Sequence, residues 1–194
     1  MAIQISLATG SASEMATRDQ LLALLRQYDL GKWQFTDRLR IQDGVISHSH
    51  PMLTLSTSHL DDALLLSLYI HEQLHWFAVR RPDTVASAIA ELRQRYPVVP
   101  VGFPEGCANE MSSYLHLVIC YLEYAALIEL LGPVEARRVM DVWCQHHHTQ
   151  IYATVIRDYD SIGDVVRRHG LIPQGPDPST VVLAQPHSPF SDTL

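Results

Sequence analysis

The chain is short of charge, of basic residues and of cysteine. Asp, Glu, Lys and Arg make up 18% of its 194 residues, and 21 acidic against 14 basic side chains leave a net charge of −7. A nucleic-acid binder needs a basic stripe to neutralise phosphates, so that class of partner is excluded. The three cysteines, Cys107, Cys120 and Cys144, show no CxxC spacing and are odd in number. They read as reduced, mostly buried thiols of a cytoplasmic protein, with room for at most one bridge. The longest apolar run, in Ala63–Ile70, falls far short of the roughly 20 residues that span a bilayer, so no membrane partner is expected. The start, "MAIQISLATG", has no cationic segment and a broken apolar run, which makes a poor signal peptide and a fair strand. Internal repeats and long low-complexity blocks are missing as well.

What is present is apolar content of 47% and eleven histidines. The first suits one globular domain with a real core, placed over residues 1–170, followed by a proline-rich extended tail over 171–194. Ile3, Ile5 and Leu7 alternate as in a half-buried strand, and a helix is expected over roughly 16–29. Asp43-Gly44 between alternating segments predicts a hairpin, with "HPMLTLST" as a further strand. Ser58 is a candidate cap for the next helix, which runs to about Arg80 and stops before Pro82. Helices follow at Thr84–Arg95, Ala108–Leu131, Val134–Cys144 and 161–169, while residues 149–159 are ambiguous. The resulting order is β-α-β-β-β and then helices only, an α+β fold with a mixed sheet.

The helix "LLLSLYIHEQLHWFAV" carries three ionisable residues on adjacent turns. His71 and His75, four apart, lie on one helical face and can reach a single cation. Glu72 projects beside them, placed to take a proton from water on such an ion. Neutral imidazoles bind zinc yet leave it positive, which is why this chemistry uses histidine for ligands and a carboxylate for the base. The bland alternative, two satisfied core histidines and a wet glutamate, leaves three costly burials without a purpose.

A third ligand is expected from "ANEMSSYLHLVICYLEYAALIELLG". Asn109, Ser113, His116, Cys120 and Glu123 form one polar stripe on an otherwise apolar helix. His116 and Glu123 are separated by about 10.5 Å along the axis, so one ligates and the other supports. His116 is the first choice, Glu123 the alternative and Glu110 the third. The resemblance of "HEQLH" to the zincin metallopeptidases implies an oxyanion donor from the C-terminal half, for which Tyr152 and the His146–His148 cluster are candidates, although a core tyrosine and a solvated "HHH" are the commoner fates.

On the "HEQLH" motif and the preceding strand-helix-strand order, the chain resembles the zincin metallopeptidases. The resemblance covers roughly residues 1–80 by architecture and only five residues by motif. It implies a zinc-dependent hydrolase of peptide bonds, with peptide or protein substrate laid along the strand Leu53–Thr57. It departs from the known subfamilies after His75, where "WFAVRRP" replaces the glycine-and-histidine extension of metzincins, and "NEMSSY" only partly echoes the thermolysin-like pattern. Two other readings stand beside it: a metal-binding module without proteolytic activity, and a helical partner-binding protein with a fortuitous motif. The tail is expected either to cover the cleft or to cross a homodimer interface.

Overall fold

A computed structural model describes residues 3–58 and 61–175. The ideas attached to the tail therefore lie mostly outside the described residues. The described chain is α+β: strands β1 (Gln4–Leu7), β2 (Arg38–Gln42) and β3 (Leu53–Ser56), and helices α1 (Ala12–Gln27), α2 (Asp62–Val79), α3 (Pro82–Arg95), α4 (Glu110–Leu131), α5 (Pro133–Trp143), α6 (Thr149–Arg157) and α7 (Tyr159–Arg168). The ambiguous segment after residue 148 is thus helical.

Helix α1 starts earlier than its apolar periodicity suggests. Its true cap is Ser11, whose hydroxyl accepts from Glu14 N–H at 3.3 Å. Glu14 turns back and accepts from the N–H groups of Thr9 (2.9 Å), Gly10 (2.8 Å) and Asp43 (3.2 Å). One buried carboxylate therefore holds both the turn after β1 and the turn after β2. Those hydrogen bonds outweigh its desolvation and lower its pKa.

The sheet corrects two expectations. Its order is β1-β2-β3 and both pairings are parallel, with Ile5 beside Leu39 and Leu39 beside Leu53. Asp43-Gly44 does turn, and Gly44 adopts a φ of +70°. The chain after it, however, makes no hairpin with β2 and contributes only one antiparallel bridge, His48 to Thr54 on the outer side of β3. The reason lies in the side chains. Leu53 and Leu55 are fully buried beside Leu39 and Ile41, whereas Ile46 is 89% exposed. The segment that can bury leucines takes the place next to β2. The outer edge of β3 at Thr54 is consequently occupied, by reciprocal bonds with His48 of 3.0 and 2.8 Å.

Helix α2 is capped by Asp61, not Ser58: its carboxylate accepts from the N–H groups of Ala63 (2.9 Å) and Leu64 (3.1 Å). Helix α4 is capped by Asn109 and ends at Gly132, whose φ of +82° stops the helix just before Pro133 opens α5. By length and composition α4 is long and apolar enough to cross a membrane, but 61% of that window is buried within the protein. It packs against α2, α3, α5, α6 and α7, which makes it the central post of the helical half. Helix α1 covers β1 and β2, and α2 lies between β3 and α4.

Gln73 joins the two halves. From the buried face of α2 its carbonyl accepts from the N–H groups of Phe35 (2.7 Å) and Thr36 (2.8 Å), while its amide donates to Thr36 O (3.0 Å). Replacing it by leucine strands three backbone groups, so Gln73→Leu is expected to cost about 2–4 kcal/mol in urea unfolding. A loss under about 0.5 kcal/mol would show that these bonds contribute little.

Candidate metal centre

The four-residue spacing on α2 directs His71 and His75 toward α4, where His116 meets them. Ring centroids are 5.0 Å apart for His71–His75, 5.4 Å for His71–His116 and 5.0 Å for His75–His116. Their ligand atoms all lie within 4.8 Å of one another. His71 Nε2 and His75 Nε2 are 3.3 Å apart. Two nitrogens bound to a tetrahedral ion at about 2.05 Å stand roughly 3.3 Å apart, so this edge has the length that a zinc-sized cation requires.

Two of the rings have their other nitrogen engaged. His71 Nδ1 lies 2.8 Å from Glu123 Oε2, and His116 Nδ1 lies 2.8 Å from Ser112 O. Both acceptors place the proton on Nδ1 and leave the Nε2 lone pair for a ligand. Glu123, the alternative ligand, has its ligand atoms within 4.8 Å of those of His71 and Cys120 and is already held by several donors. It is fully buried, accepts from Tyr152 O–H at 2.9 Å and from the Ser67 hydroxyl, and Ser67 in turn accepts from Trp143 Nε1 at 2.8 Å. Tyr152, expected as a candidate oxyanion donor, stands beside Glu123. The ring is buried, and its hydroxyl is committed to the carboxylate that orients His71. Glu110, the third-ranked ligand, is exposed and pairs instead with Arg93 at 3.2 Å.

Electrostatics fit a cation. Burial, then the charge of His148, pulls His71 down to about 3; burial, then His71, His50 and His148, does the same to His75. His116 is held well below its ordinary value, first by burial and then by the neighbouring imidazoles. These rings stay neutral and available as ligands. Burial and the Glu123 charge push Glu72 up to about 8, and burial raises Glu123 to about 7 against the pull of Ser67 and Tyr152. A bound divalent ion would oppose both rises.

The centre opens onto a cleft of about 690 Å³. His71, Glu72, His75 and His116 line it together with Leu64, Leu68, Val45–Ser49, Phe103 and His146–His148. The Val45–Ser49 segment is held from both sides. Ser47 Oγ accepts from Ser56 N–H at 2.8 Å, and Trp76 Nε1 donates to Ser49 O at 2.9 Å. Nothing in the spacing along the chain singles out His148 within "HHH", or Cys107. His148 adopts a left-handed φ of +50°, and its ring stands 4.5 Å from that of His116. Cys107 lies just ahead of the α4 cap, on the same end as His116, which was the only available signal.

No family model matches this chain, and no curated protein or solved structure matches it. The geometry alone therefore carries the functional argument.

The pKa shifts fix the sign of a pH effect. Unfolded imidazoles titrate near 6.5 and folded His71 and His75 near 3, so the unfolded chain binds extra protons in that window and stability falls as pH drops through it. Glu72 and Glu123 have the opposite sign: between 4.5 and about 7–8 the folded chain holds protons that the unfolded chain has lost, so stability falls as pH rises. Metal-free protein is thus expected to melt at a lower temperature at pH 8 than at pH 6, and zinc should raise Tm more at pH 8 than at pH 5. A metal-free Tm still climbing from pH 6 to 8 would contradict these burials.

Proposed function

We propose that the chain is a zinc-dependent peptidase of the zincin type, with His71, His75 and His116 as metal ligands and Glu72 as general base. The observation that carries this reading is the convergence of three imidazoles, two with fixed tautomers, beside a buried carboxylate, all lining an open cleft. An all-nitrogen set of three favours a borderline cation such as zinc and leaves coordination positions for water and substrate. A small sheet with a helix packed on it precedes the HExxH helix, as the resemblance implies, but its three strands pair in parallel where a four-strand mixed order was expected.

A divalent ion in this set would polarise an amide carbonyl and acidify a bound water. Glu72 takes the proton from the attacking water and returns it to the leaving amine. Its burial keeps bulk water from competing. Glu123 keeps the His71 proton on Nδ1 throughout.

The substrate path moves outward from the one expected by sequence. Since His48 occupies the edge of β3 at Thr54, an extended peptide lies along Val45–Ser49 and not along Leu53–Thr57. Ile46 and Phe103, 89% and 78% exposed, flank it with apolar contacts.

Glu72→Gln keeps the shape of the site and removes the base. Zinc stoichiometry is expected to stay at the wild-type value while cleavage of a peptide library falls by about 10²–10⁴-fold. Equal cleavage by the variant would remove Glu72 from the mechanism. Zinc-loaded wild type that cleaves nothing in the library would leave a metal-binding module.

A further inference from the structure

Beside the three-histidine set stands a second cluster that the proposed reaction does not need. The ligand atoms of Cys107, His116 and His148 all lie within 4.8 Å of one another. Cys107 Sγ is 3.4 Å from His148 Nδ1 and 4.0 Å from its Nε2. A thiolate sulfur and an imidazole nitrogen on one tetrahedral zinc are roughly 3.5 Å apart, so the Sγ–Nε2 pair would close by about 0.5 Å on binding.

We propose that Cys107, His148 and His116 form a second, thiolate-containing position for a borderline or soft cation, one that competes with the His71–His75–His116 set for His116. This inference rests on the reading of the three-histidine centre.

The cluster is built, not incidental. Cys107 is buried, and its N–H donates to Ser113 Oγ at 3.1 Å on the first turn of α4. Its carbonyl accepts from Gly102 N–H at 2.7 Å. Gly106 passes so close to Pro100 that a Cβ there would stand 2.1 Å from the Pro100 carbonyl oxygen, which only glycine permits. The same loop is joined to the start of α6, where Thr149 N–H donates to Pro104 O at 2.9 Å and Gln150 N–H to Glu105 O at 3.1 Å. His148 sits at that junction, the one described non-glycine residue with positive φ. Its Nδ1 lies 3.1 Å from Gly106 O, so the proton belongs on Nδ1 and Nε2 faces the cluster as a lone pair.

Exclusivity follows from one ring. His116 Nδ1 is committed to Ser112 O, so only its Nε2 can ligate, and it serves one ion at a time. An ion held by Cys107, His148 and His116 lacks His71 and His75 and takes their third ligand from them. The sulfur ligand sets the class of cation: zinc, cadmium or cobalt(II) over magnesium and calcium. Binding forms a metal–sulfur bond, and the thiol proton leaves to solvent.

The test is a cobalt(II) titration of the full chain, prepared without metal-affinity resin and stripped by chelator. Wild type, Cys107→Ser and His75→Ala are followed by absorption. Thiolate ligation gives a near-ultraviolet charge-transfer band, whereas histidine ligation alone gives only the visible d–d bands. Wild type is expected to develop the charge-transfer band, His75→Ala to show it more strongly per bound cobalt, and Cys107→Ser to bind cobalt without it. Cobalt bound by wild type with d–d bands and no charge-transfer band would overturn the second position and leave the three-histidine centre standing. A band that persists in Cys107→Ser would assign the thiolate to another cysteine and also overturn it. No cobalt binding by wild type would remove both. Should His75→Ala fail to fold, the comparison of wild type with Cys107→Ser decides alone.

Discussion

The bond from His71 to Glu123 is the contact on which the arrangement turns. It joins two helices that are otherwise apolar on nearly every face, with Glu123 fully buried and His71 reaching the cleft by one edge. A fully buried carboxylate is expensive, and it persists only because Ser67, Tyr152 and His71 each supply a donor. Those donors come from α2, α4's own neighbour α6, and, through Ser67, from Trp143 at the end of α5. Four helices are thus fixed in register by one carboxylate. The register in turn places His116 opposite His71 and His75. Removing the Glu123 carboxylate would leave a tyrosine, a serine and a histidine competing for nothing, which is why the network reads as a unit.

The remainder of the protein supports that register from outside. Glu14 and Gln73 perform on the sheet side what Glu123 performs among the helices. Each is a buried polar side chain spent on backbone groups of a different segment. Glu14 holds two turns of the sheet together, and Gln73 holds the 35–36 connection to α2. The Val45–Ser49 segment depends on Glu14 and Trp76, because it leaves the Asp43 turn that Glu14 grips and returns beside α2 through Trp76.

Much of the helical half was legible in the sequence because long apolar helices bounded by Gly, Pro and Asn leave few alternatives. The polar stripe on α4 was legible for the same reason: a histidine and a glutamate on an apolar helix must face something polar. The sheet was harder. Asp43-Gly44 is a local turn signal, and it is obeyed locally. Which strand pairs with β2 is a contest between distant segments, and Leu53 and Leu55 win it by burial. The start of α1 was missed although Ser11 and Glu14 carry the capping spacing, because the apolar periodicity begins only a turn later. Tyr152 and His148 illustrate the limit at the site. Their side chains point by virtue of the turn at 148 and the packing of α6, and neither is encoded in spacing along the chain.

The central claim is that three imidazoles from two helices hold one ion. Metal content of the purified protein, prepared without affinity resin and compared between wild type and His116→Ala, tests it most directly. The account predicts zinc bound stoichiometrically by wild type and lost on removing His116. A wild type that stays metal-free after zinc is offered, or a variant that keeps its zinc in full, would contradict it.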